Sequence, residues 1–136
     1  MERISFLLRV KEGQQEEYVR RHQNVWPDVL DEHRRAGILK MSIFMRGHDL
    51  FLYMEVESYA KAVEILGSSP AAIRWEEYMA PIMESAEEDN APYDPLNAFP
   101  GSLPEVFYWE SSSNGSVSRL PSSSGNHSPQ PAPVKS

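Results

Sequence analysis

Tyr18, His22 and Trp26 stand four residues apart in EEYVRRHQNVWPDV, residues 16–29. At about 100° per residue, a helix stacks such a series on one side. An imidazole titrates near pH 6.5, so it can both give and take a proton at neutral pH. A phenol and an indole beside it carry hydrogen-bonding tips on apolar bodies. On the residues alone, two readings are open. In one, His22 is a core histidine packed between two aromatics. In the other, the three polar tips face a wet pocket, because each needs a partner when buried, and aromatic faces suit the C–H surface of a sugar. Arg74-Trp75-Glu76-Glu77-Tyr78 is a second such set. Trp75 and Tyr78 are three apart and Arg74 and Tyr78 four apart, so they are helix neighbours. This set reads either as a helix surface with a core anchor or as a second pocket wall.

The other histidines carry less. His33 lies near the apolar side of the same segment, beside Glu32, Arg34 and Arg35. It reads as an imidazole meeting the negative end of a helix dipole. His48, in a turn, and His127, in the tail, read as solvated. Glu16-Glu17, Glu76-Glu77 and Glu87-Glu88 are adjacent pairs that do not face one another on a helix, so none forms a carboxylate dyad. There is no GxGxxG, Walker A, GxSxG or HExxH pattern. The 136 residues include no cysteine, which removes thiolate nucleophiles, thiolate zinc sites and disulfides.

The elements that must hold these residues follow from periodicity. RISFLLRV, residues 3–10, alternates Ile4, Phe6, Leu8 and Val10 on one face and predicts a strand. Residues 14–37 read as one long helical segment, closed by Gly37, in which Pro27 kinks or restarts the helix. With His22 set at zero, Tyr18, Val25, Val29, His33 and Ala36 fall on the buried stripe, which Val19 and Leu30 widen. Residues 38–46 and 50–56 are two further strands joined by a turn at Gly47-His48-Asp49. Ser58 caps a short helix that Gly67 stops. A helix through AAIRWEEYMAPIME runs until Pro81 disturbs it. Residues 84–104 are an acidic, then Pro- and Asn-rich, loop, and EVFYW, residues 105–109, is a final strand. The order β-α-β-β-α-(α)-β is the ferredoxin-like, split βαβ form of the α+β class. Apolar residues on both sides of the strands, Leu7, Phe51 and Tyr53 among them, predict that a second copy covers the sheet in a homodimer.

All 20 acids and all but two of the 13 bases lie in residues 1–110. That acidic balance disfavours nucleic acid as a partner. No run approaches the roughly 18–20 apolar residues of a membrane span. The opening MERISFLLRVKEG lacks the apolar core and cleavage site of a signal peptide, so a cytoplasmic location is expected. Residues 111–136 hold ten Ser and four Pro and no acid. They predict a disordered tail after a single domain spanning 1–110.

Several segments together resemble the L-rhamnose mutarotase family: residues 16–29, Gly37, the Ile43–Phe44 strand, RWEEYM (74–79), DNAP (89–92) and EVFY (105–108). The resemblance implies a dimeric α+β barrel that interconverts the α and β anomers of a 6-deoxy-hexose, without metal or organic cofactor. It implies that His22 is the catalytic acid; on that footing His22 is expected to protonate the ring oxygen, with water, Tyr18 and Glu76 as candidates to remove the anomeric proton. It implies sugar contacts at Tyr18 and at the positions of Met41, Trp75 and Glu76. At two of these the chain departs from the family. Met41 stands where the family has a tyrosine, and Glu76 where it has the second of two tryptophans. These departures leave the sugar open between L-rhamnose and a relative such as L-fucose. A cofactor-free monooxygenase-like dimeric barrel and a catalytically silent sugar-binding homologue are the alternatives.

Overall fold

A computed structural model describes residues 1–87, 93–95 and 99–111. The elements run β1 (Glu2–Val10), α1 (Gln15–His22), α2 (Pro27–Arg35), β2 (Ile38–Arg46), β3 (Asp49–Val56), α3 (Tyr59–Gly67), α4 (Pro70–Met79), a 3₁₀ turn (Ala80–Ile82) and β4 (Met83–Glu84). The strands form one antiparallel sheet in the order β2-β3-β1-β4. This is the ferredoxin-like α+β arrangement that the element order predicts.

Period-two alternation decides which side of the sheet is covered. Phe6 and Val10 from β1 and Leu50, Leu52, Met54 and Val56 from β3 are buried. They pack with Ala36, Ala62, Leu66 and Ala72 in one cluster and with Tyr18, Val29, Trp75 and Met79 in another. All four helices therefore serve one face. The opposite face carries the cross-strand row Leu7, Phe51 and Phe44, with Phe44 65% exposed and Phe51 37% exposed.

Helix ends follow the local sequence. Ser58 and Ser69 accept the amides of Lys61 and Ala72, so each caps its helix. After α2 the chain must turn back into β2, and Gly37 does this at φ +85°. A Cβ there would also come within 3.2 Å of the Glu57 carboxylate.

At Pro27 the helix restarts, one of the two outcomes read from the sequence: Pro27 begins α2 at its first turn, where the missing N–H costs nothing, and Trp26 is extended. Three details differ from the sequence reading. Val19 and Leu30 do not widen the buried stripe; they are exposed. His48 is not freely solvated, since its Nδ1 is buried, 3.6 Å from Glu12 and 3.8 Å from Glu84.

The fourth strand is Met83–Glu84, and residues 105–109 form no strand. The outer edge of β1 is met by other segments at Ser5, Arg9 and Val10. Met83–Glu84 pair with Val10 and Arg9, and the Leu103 amide bonds the Ser5 carbonyl at 2.7 Å. Met1–Pro104 forms one compact unit and Glu105–Ser136 a second. The DNAP segment and the tail from residue 112 lie outside the described residues.

Candidate active site

Gln15–His22 is one of the shorter helices, and its inward side is set by Tyr18, which is 5% exposed. One turn later the His22 ring stacks on the Tyr18 ring, centroids 4.3 Å apart and planes 26° apart. The His22 Nδ1 lies 3.1 Å from the Tyr18 carbonyl oxygen. A carbonyl only accepts, so Nδ1 carries the proton and donates it. In the neutral ring, Nε2 is then the nitrogen left with a lone pair.

Burial is the main influence on this imidazole and holds its pKa below the usual value. The Tyr18 carbonyl works against that shift, and nearby His33 reinforces it. The ring is therefore neutral at pH 7, with Nε2 a proton acceptor. Burial, and to a lesser degree the neighbouring Glu76, push the Tyr18 phenol up, so it stays an O–H donor.

From α4, Trp75 meets His22 edge-on at 5.5 Å between centroids. It is 6% exposed and packs at a similar angle on Trp26, 5.1 Å away. The restart at Pro27 explains why Trp26 leaves the stack that its spacing predicts. It lies behind Trp75 and against Tyr78 instead of on His22. Arg21 fastens α1 to α4: it bonds Glu17 at 2.6 Å and the Tyr78 carbonyl at 2.7 Å, and lies over the Tyr78 ring.

Tyr18, His22, Met41, Trp75 and Glu76 all line one cavity of about 140 Å³, between the helices and the covered face of the sheet. It is roomy enough for several waters. His22 therefore borders a hollow and is not sealed in dry packing. Met41 enters from β2, where it pairs with Met54, and places a thioether in the wall. Phe6, Leu8, Ile43 and Leu52 make the sheet side apolar.

Two further residues line the cavity. His33 lines the same wall, and its Nδ1 bonds the Val29 carbonyl at 2.9 Å, repeating the arrangement at His22. Burial lowers its pKa as well. The helical angle count puts His33 on this inward side, while its reading as a dipole-facing imidazole assigns it no cavity. Tyr93 lines the cavity and donates to Glu76 Oε1 at 2.6 Å. Nothing in the local sequence around Tyr93 announces that.

Residues 3–125 match the family model described as L-rhamnose mutarotase. The chain belongs to the L-rhamnose mutarotase family. An L-rhamnose mutarotase of Listeria monocytogenes is 36% identical over 110 residues, which span 79% of this chain and 98% of that protein. One of Klebsiella pneumoniae is 36% identical, with the same coverage of both chains. The crystal structure of an L-rhamnose mutarotase from Formosa agariphila superposes with a TM-score of 0.63 at 28% identity. It covers 81% of this chain and all of that one. Membership of the L-rhamnose mutarotase family thus rests on the folded unit as a whole, beyond its histidine helix.

Proposed function

We propose that this protein is a sugar mutarotase, an isomerase that interconverts the α and β anomers of L-rhamnose or a closely related 6-deoxy-hexose. Ring opening needs a proton delivered to the ring oxygen and another removed from the anomeric hydroxyl. The open-chain aldehyde then turns about C1–C2 and recloses as the other anomer. The observation that carries the reading is His22 at the cavity wall, with Nδ1 tied to its own helix and Nε2 left for a ligand. One positioned acid/base group contributes about 10²–10⁴-fold, which is substantial for a reaction that already proceeds in water.

In this reading His22 exchanges the proton with the sugar. The Tyr18 hydroxyl orients the sugar, the Trp75 indole packs on its C–H face, and Met41 and Glu76 complete the contacts. The Met41 thioether and the apolar sheet wall suit the methyl end of a 6-deoxy sugar. The reading extends to a homodimer in which a second copy covers the Leu7–Phe51–Phe44 row. A cytoplasmic location, with neither nucleic acid nor membrane as partner, belongs to the same proposal and accords with the chain's acidic balance.

The test is polarimetry on freshly dissolved single anomers of a sugar panel. Catalytic amounts of the protein should speed equilibration of L-rhamnose. Sugar binding with no acceleration for any member of the panel would instead mark a silent homologue.

A further inference from the structure

Glu76 enters the proposed function as one contact among several, yet it is the sole carboxyl among the described residues that line the cavity. We propose that Glu76 is the residue that selects the sugar, with Tyr93 as its positioning residue. The carboxyl receives one hydroxyl of a vicinal diol and the Tyr93 oxygen receives its neighbour, so the site takes a neutral, polyhydroxylated sugar. The inference rests on the mutarotase reading above and deepens it.

The walls of the cavity differ in chemistry. Phe6, Leu8, Met41, Ile43 and Leu52 give the sheet side an apolar surface. Hydrogen bonding to a sugar therefore falls to a few side chains from other segments, Glu76 and Tyr93 among them. No lysine or arginine lines the cavity among the described residues. Arg74, which precedes Trp75 and Glu76 on α4, is engaged with Asp28 at 3.4 Å. A phosphate or carboxylate on the ligand would meet an acid with no balancing charge. A neutral hydroxyl meets an acceptor instead.

A glutamate side chain turns about several bonds, and ordering it at the moment of binding costs entropy. Tyr93 orders it beforehand. Its O–H donates to Glu76 Oε1 at 2.6 Å, across 17 residues of chain, and both residues line the cavity. Among the described residues Glu76 Oε2 has no hydrogen bond, so it is left for a ligand. The phenol oxygen, having given its proton, keeps lone pairs that accept. Two acceptors thus stand side by side, an arrangement that adjacent hydroxyls of a sugar match. The pair lies among apolar side chains, so an analogue lacking one of those hydroxyls leaves a desolvated polar group unmatched.

L-rhamnose and its 2-, 3- and 4-deoxy analogues test this by polarimetry, each as a fresh single anomer with the buffer rate subtracted. For analogues lacking a hydroxyl of the diol, wild-type kcat/KM should fall about 10–100-fold below that for L-rhamnose. Glu76→Leu should shrink that gap to about threefold or less. Tyr93→Phe keeps the carboxyl but frees it, and should reduce the discrimination about 3–10-fold. It removes a single oxygen, so it reads the pair even where Glu76→Leu does not fold. A pair that served only to hold the fold would slow every sugar alike and leave the ratios between sugars unmoved. Unchanged ratios in the folded variants, or a wild type that does not distinguish the deoxy analogues, would overturn the proposal and leave the His22 reading standing. Failure of the wild-type protein to accelerate any sugar would overturn both.

Discussion

The Tyr18 ring lies 4.3 Å from the ring of His22, and the Tyr18 carbonyl holds the His22 Nδ1–H at 3.1 Å. One residue therefore fixes both the orientation and the tautomer of the imidazole. Only its hydroxyl remains for the sugar. Tyr18→Phe keeps the stack and the carbonyl while deleting that hydroxyl. Losing one hydrogen bond of about 1 kcal/mol should raise KM roughly fivefold with kcat little changed. Steady-state anomerisation rates over a sugar concentration series measure the split.

The pH dependence follows from the direction of the histidine shifts. Burial lowers the pKa of both His22 and His33 from 6.5 in the folded chain. Both rings must be neutral in the native cavity, so folding stability is complete above pH 6.5. It declines as the pH falls from 6.5 toward the depressed values, because the unfolded chain binds those protons more readily. The acid limb of kcat/KM should have an apparent pKa below 6.5 and depend on His22. Denaturant melts and initial rates across pH 4.5–8 check the two statements separately.

Gly37 joins the histidine helices to the sheet in a left-handed conformation with Glu57 close by. Gly37→Ala should destabilise the fold by about 1 kcal/mol or more. For a domain of this size that is a fall in Tm of about 4 °C or more. Differential scanning calorimetry reads it directly.

Phe51 occupies the middle of the uncovered row between Leu7 and Phe44. If a second copy covers that row, sedimentation of the wild type gives twice the 15.5 kDa chain mass. Phe51→Asp should then shift the equilibrium to the monomer. A wild type that sediments as a monomer at micromolar concentration contradicts the homodimer.

The strands were readable because their alternation matches a half-covered sheet. Phe6, Val10, Leu52 and Met54 are buried where the pattern puts them. The helices were readable in position. Angles counted from His22 still put Val29, His33 and Ala36 on the inward side beyond the restart at Pro27. Trp26, extended just before Pro27, leaves the expected stack, while His33 lies on the inward side as counted and lines the cavity. EVFYW has the composition of a strand, yet a strand is a relation between two segments. No local pattern shows that two residues, Met83 and Glu84, pair with the end of β1. Tyr93 lies 17 residues beyond Glu76, so only the tertiary fold brings the carboxyl and the phenol together.

His22→Asn tests the central claim most directly. The amide can still donate to the Tyr18 carbonyl, so the helix and the cavity wall should survive, which circular dichroism can verify. With saturation-transfer NMR on equilibrated L-rhamnose, wild-type protein should exchange magnetisation between the α and β anomers well above the rate in buffer. The variant should return the rate to that of buffer alone. Folded His22→Asn protein that exchanges the anomers as fast as the wild type would contradict the account.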